Sequence, residues 1–232
     1  MKSEVLADAD AVARRGAAII AADARAAVKA RGRFVFAVSG GRTPWKMMEA
    51  LVHEDVPWEH VHLMQVDERV APASHADRNL KHLDETLLSH APLPWVQVHA
   101  MPVDEEDLEE AAAEYARTLA DTAGTPAVID LVHLGLGGDG HTASLLPGDH
   151  ALEEPHHAVA ITGVYEGRRR MTLTLPVINH ARRILWIVTG AEKADMLARM
   201  LRADHAIPAG RVVQERALLV ADALAAGQPA HG

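Results

Sequence analysis

The sequence predicts an α/β protein: a three-layer arrangement with a mainly parallel sheet and helices on both faces. Short apolar runs alternate with amphipathic helical stretches through most of the chain, the pattern of successive crossover units. Three of those runs, Phe34–Val38, Val61–Val66 and Val128–Leu134, stop at polar or glycine-rich turns. In parallel sheets ligands bind beyond the C-terminal strand ends, so these turns are placed to converge on one site. Apolar residues make up 49% of the chain but aromatics only 3%, which makes the predicted core aliphatic.

In chain order, residues 7–30 form an Ala-rich helix with Val12, Ile19, Ile20 and Val28 on its apolar face, ended by Gly32. The strand 34–38 and its glycine turn lead to a helix capped by Thr43, with Pro44 at the first position and Trp45, Met48 and Val52 on one face. The run 61–66 passes into a polar loop, Asp67-Glu68-Arg69. Leu80, Leu83 and Leu87 mark a helix, and Trp95–Val98 a short strand. Residues 104–122 begin with acidic residues, which favour a helix N-terminus, and carry the stripe Leu108, Ala112, Tyr115 and Leu119. Strands are expected at 128–134, 158–161, 171–175, 184–188 and 217–220, with a helix around 191–201. The chain reads as one domain, 1–232, with a frayed tail over 225–232.

A net charge of −9 argues against a nucleic-acid protein. With no cysteine, disulfides and thiolate catalysis are excluded. No run approaches a bilayer span and no secretory signal is visible, so the expectation is a cytoplasmic protein without membrane or nucleic-acid partners. A monomer or small homo-oligomer acting on a small molecule, with no cofactor and no metal, completes that expectation.

The most informative stretch is Gly135-Leu136-Gly137-Gly138-Asp139-Gly140-His141-Thr142-Ala143-Ser144. Its glycines permit a tight turn with exposed N–H groups, and it carries Asp139 and His141, both suited to acid–base work near neutral pH. The spacing Gly135, Gly137, Gly140 formally matches G-x-G-x-x-G. Pro147 interrupts any following helix, however, and no acidic residue closes the next strand, so a dinucleotide site is disfavoured. Asp-x-His supplies two metal-ligand types, which makes only a weak metal site. Most of the fifteen histidines are read as ordinary surface or core residues; His141 differs by its place in a glycine loop at a strand end.

Ser39-Gly40-Gly41-Arg42-Thr43 is the best anion-binding candidate, because a helix N-terminus follows the glycines. It lacks the Walker lysine, so ATP is not indicated. Arg69, flanked by Asp67 and Glu68, is placed either for a surface ion pair or for stabilising an oxyanion. Lys193 sits near the start of a helix, where a lysine is unfavourable unless an anion compensates. Arg168, Arg169 and Arg170 form the densest basic cluster. No G-x-S-x-G nucleophile elbow is present, so hydrolysis would use water directly with a base to take its proton.

Four blocks in order resemble the 6-phosphogluconolactonases. They are Ser39–Pro44, Asp67-Glu68-Arg69 with Asn79, Gly135–Pro147, and Arg170–Pro176 leading to Lys193. The resemblance runs from the N-terminal helix to about Val220. It implies the fold shared with glucosamine-6-phosphate deaminases and ribose-5-phosphate isomerases. It implies hydrolysis of 6-phospho-D-glucono-1,5-lactone in the pentose phosphate pathway. His141 would be the general base, and Arg69 would stabilise the charged intermediate. Asp139 would either orient the imidazole or meet sugar hydroxyls, with Asp67 a further catalytic candidate. Ser39, Gly40, Gly41, Arg42 and Thr43, with Gly137, Arg170 and Lys193, would bind the substrate. Arg42, Val66 and Arg78 depart from the residues the family often carries there. The rival readings are a sugar-phosphate isomerase or deaminase on the same fold, and a non-catalytic sugar-phosphate sensor.

Overall fold

All five residues of the run Phe34–Val38 are buried, because the strand lies inside a sheet covered on both faces. The computed structural model describes residues 1–228. Its main sheet is parallel throughout. The spatial order is β1 (Lys2–Leu6), β10 (Ala217–Asp222), β9 (Ile184–Val188), β6 (Leu131–Leu134), β2 (Phe34–Val38), β3 (Val61–Gln65) and β5 (Val98–His99). Alternate residues of each strand point to opposite layers. Phe34, Phe36 and Val38 join one core with helices α1 (Ala9–Arg31), α2 (Arg42–Leu51) and α3 (Asn79–Leu83). Val35 and Ala37 join the other, with α4 (Leu108–Ala123), α5 (Leu175–His180) and α6 (Ala194–Leu201).

The predicted fold class holds, with one addition. Asp67-Glu68-Arg69 is not a loop but a strand, β4, paired antiparallel with β8 (Arg170–Leu173), which pairs in turn with β7 (Val159–Ile161). Three residues are too few to show a period, so only the partner strand defines this one. The polar segment Lys2–Leu6 is likewise a strand, held at the sheet edge by its ladder to β10. Thr43 does not cap α2; Gly41 occupies that position, and the Thr43 hydroxyl meets that of Thr189 at 2.5 Å. Trp95–Gln97 is a 3₁₀ turn preceding β5, and the helix marked by Leu80 continues past Leu83 as a wider π turn over Asp84–Leu88. The last turn of the described chain is bonded, not frayed, up to Gln228: Ala225 is buried and its N–H donates to Asp222. Residues 229–232 of the expected frayed tail lie outside the described residues.

His133 on β6 is fully buried beneath the first glycine turn, where its Nδ1 accepts the Ser39 N–H at 3.3 Å. Burial pushes this imidazole down from 6.5 to about 3. Above pH 6.5 both folded and unfolded chains hold it neutral. Below that, the unfolded chain takes up a proton that the folded one refuses, so stability falls with pH until about pH 3. The slope is about 1.4 kcal/mol per pH unit. His133→Asn is expected to flatten this acid limb. Urea unfolding at pH 7, 6 and 5 measures it, and parallel curves for the two proteins would refute the assignment.

Candidate active site

Strand β4 builds one wall of the site around buried carboxylates. Both oxygens of Asp67 accept hydroxyls, from Ser39 at 2.9 Å and from Ser144 at 2.8 Å. Asp67 therefore fastens the first glycine turn to the second. Glu68, without exposure, accepts the N–H groups of Arg69, Asn79 and Leu80 at 2.7–2.8 Å and lies 3.2 Å from Arg78 Nε. This carboxylate fixes the start of α3. Arg78 is buried as well and ties the segment to the Ala71 carbonyl and Asp104. Asn79 then points its side chain at the first glycine turn so closely that a Cβ on Gly40 would stand 2.0 Å from its Oδ1.

The second glycine turn presents His141. The Gly137 N–H donates to the His141 carbonyl at 2.8 Å, closing the loop. A Cβ at Gly137 would lie 2.2 Å from His141 Nδ1, so only glycine leaves room for the ring. Asp139 Oδ1 meets Nδ1 of the imidazole at 2.5 Å and accepts the His141 backbone N–H at 3.0 Å. Burial pushes the Asp139 carboxyl up, but the His141 N–H and imidazole outweigh it and hold the carboxyl below its ordinary value. With Nδ1 donating to a carboxylate, the free lone pair of neutral His141 is on Nε2. No helix begins in this loop, which removes the dinucleotide reading. Among the described residues no third His, Asp or Glu joins this pair in a metal-binding group.

The antiparallel register sets Arg69 directly opposite Arg170. Like charges facing each other across a ladder are unfavourable on their own, and an anion between them reverses the sign. Arg69 donates to the Asn79 side chain and, at 3.2 Å, to the Asp77 carbonyl; among the described residues it has no carboxylate partner. Arg170 is buried, donates to Glu166 at 3.0 Å, and keeps an Nε with no partner among the described residues. Lys193 stands across the cleft, also without an ion pair among them.

These groups line a cleft of about 910 Å³ at the C-terminal ends of β2, β6 and β9. Every residue the sequence nominates for catalysis or substrate binding reaches it except Asp139, which lies behind His141, whereas Arg168 and Arg169 of the basic cluster do not line it and pair with Asp77 and Glu109. The Arg42 side chain is 96% exposed at the rim, 3.7 Å from Glu192, so α2 offers the cleft its backbone rather than this guanidinium. Sequence reasoning missed Tyr165, which lines the cleft, donates its hydroxyl to Asp139 at 3.2 Å and packs edge-on against His141. It missed Asp222 too, whose carboxylate accepts the Gly190 N–H at 3.1 Å. Neither lies in a glycine block, and no periodic signal marks them.

The parallel sheet, its antiparallel annex and the cleft where they meet define a three-layer α/β fold with a ligand cleft at the strand ends. A solved monomeric glucosamine-6-phosphate deaminase shares the fold, with a TM-score of 0.85 over 99% of this chain and 100% of its own, at 18% identity. The chain belongs to the family described as glucosamine-6-phosphate isomerases/6-phosphogluconolactonase, whose model matches residues 7–220. It is 35% identical to a 6-phosphogluconolactonase of Synechocystis over 75% of this chain and 74% of that protein. It is 33% identical to one from Nostoc, over 85% and 83%. The solved 6-phosphogluconolactonase of Thermotoga maritima superimposes with a TM-score of 0.85, covering 95% of this chain and 98% of its own, at 26% identity.

Proposed function

We propose that the cleft hydrolyses 6-phospho-D-glucono-1,5-lactone to 6-phospho-D-gluconate, a step of the pentose phosphate pathway. The observation that carries the reading is an imidazole locked through Nδ1 to Asp139 on the wall of a cleft that also bears Arg170 together with Arg69 and Lys193, which have no carboxylate partner among the described residues. His141 Nε2 takes a proton from water as the water oxygen attacks C1 of the lactone. The carbonyl electrons move to an oxyanion, which Arg69 and the glycine-loop N–H groups stabilise. As the C1–ring oxygen bond breaks, the imidazolium returns its proton to that oxygen. A δ-lactone is an activated ester, so this small set of groups suffices.

Asp139 orients the imidazole in this scheme. Asp67, with both oxygens committed to serine hydroxyls, braces the glycine turns in this scheme rather than acting on the substrate. Ser39–Thr43 and the N-terminus of α2, with Arg170 and Lys193, hold the phosphate. Lys193→Ala is expected to raise KM about tenfold or more with little change in kcat, since it removes a binding charge remote from C1. An unchanged KM in steady-state kinetics would take Lys193 out of the phosphate site.

The test is disappearance of freshly made lactone with and without protein, measured against spontaneous hydrolysis. A parallel assay with glucosamine 6-phosphate tests the deaminase alternative. No acceleration of lactone loss would end the reading. Among the described residues no helix is long and apolar enough to cross a membrane. A sugar phosphate, close to doubly charged, does not cross a bilayer unaided. We propose a cytoplasmic location for the enzyme beside its substrate, and a monomer or small homo-oligomer.

A further inference from the structure

The hairpin joining β7 to β8 ends in a two-residue turn, Glu166-Gly167, with φ of 50° and 80°. Positive φ at both central positions is what a type I′ turn requires, and it matches the twist of the paired strands. Tyr165 and Arg168 close the turn with reciprocal backbone bonds of 2.9 and 3.2 Å. The turn thereby sets the backbone of Tyr165 beside the cleft. Tyr165 makes three contacts there. Its hydroxyl donates to Asp139 Oδ2 at 3.2 Å, the oxygen that His141 leaves open. Its ring stands edge-on to His141, centroids 5.8 Å apart at 69°. The Arg170 guanidinium lies over its face, 4.8 Å from the centroid.

We infer that Tyr165 is a positioning residue that joins the acid–base pair Asp139–His141 to the anion-binding Arg170, through its hydroxyl on one side and its ring face on the other. The inference rests on the lactonase reading for its catalytic consequence, though not for its physical one. The hydroxyl shares the negative charge of Asp139, so less of it is available to stabilise an imidazolium at His141. The ring face, a separate element, packs against a guanidinium whose buried Nε has no partner among the described residues. Burial first, and then the carboxylates of Asp139 and Glu166, push the Tyr165 phenol up, so it remains a donor throughout the working range. The charged groups facing this cluster are Asp139 and His141 from the glycine loop and Glu166 and Arg170 from the hairpin, with Arg69 on the neighbouring strand β4 and Lys193 across the cleft.

Two substitutions separate the two contacts. Tyr165→Phe removes the hydroxyl and keeps the ring. Tyr165→Ala removes both. For Tyr165→Phe the acid limb of the kcat/KM–pH profile is expected to move up by about half to one pH unit, with KM within about twofold of the original. For Tyr165→Ala the same shift is joined by a rise in KM of about fivefold or more, from the released guanidinium. The imidazole titration of His141, followed by NMR in the substrate-free full chain, reads the same shift without any turnover. A superimposable titration in Tyr165→Phe and the original protein overturns the inference, whatever the enzyme acts on. Equal KM values for Tyr165→Phe and Tyr165→Ala overturn the link to Arg170. Failure of the original protein to consume lactone, with the NMR shift present, would instead refute the lactonase reading and leave the coupling standing.

Discussion

Replacing His141 by alanine is expected to lower kcat by roughly 10²–10⁴ with the fold intact. The size follows from what is lost: a positioned base whose free nitrogen is fixed by its bond to Asp139. Its carboxylate partner Asp139 is a poor substitute. Asp139 has one oxygen on His141 and the other on Tyr165, and its carboxyl is held below the ordinary value, which makes it a poorer base. The fold is expected to survive because the ring is part-exposed in the cleft rather than part of either core. Removing it unpairs Asp139, but water replaces the imidazole as a donor. The checks are steady-state kinetics corrected for spontaneous lactone hydrolysis, and a thermal melt. Near-normal turnover in a folded variant would exclude His141 as the base.

Arg69→Ala is expected to cost about 10²–10³ in kcat/KM, the usual penalty for removing an oxyanion-stabilising donor. Its stability signature separates it from a structural arginine. Arg69 faces Arg170 across the ladder and has no carboxylate partner among the described residues, so its removal relieves a repulsion. The melting temperature should hold or rise slightly while activity collapses. Arg78 is the internal contrast. It is buried against Glu68 and Asp104, and its truncation leaves a buried carboxylate uncompensated, which destabilises the fold by several kcal/mol. Arg69→Lys should recover little, because an ammonium cannot reproduce the planar fork of donors. Retained kcat/KM in Arg69→Ala would remove the oxyanion role.

Much of this was legible in the chain itself. The strands 34–38 and 184–188 appear at the residues expected, because a strand buried on both faces must be apolar without interruption. Helix α1 ends at Gly32 in the left-handed conformation, as the glycine required. The helix start at Thr43 was misplaced by two residues, since Gly41 can take the non-helical cap geometry and frees the threonine to bond Thr189. The antiparallel annex was invisible. Asp67-Glu68-Arg69 reads as a polar loop until β8 supplies a partner, Arg78 pairs with Glu68 and two serine hydroxyls donate to Asp67.

The sequence by itself determined the alternating layers, the two glycine turns and the presence of a histidine in one of them. Those depend on local chemistry: apolar continuity, backbone freedom, and which side chains can titrate. Tertiary structure alone decided which charges face one another and which are silenced. Asp67 became a brace, Arg42 a rim residue, and Tyr165 a partner of His141 because through-space neighbours from distant segments set the hydrogen bonds and the local dielectric, and no spacing along the chain encodes those distances.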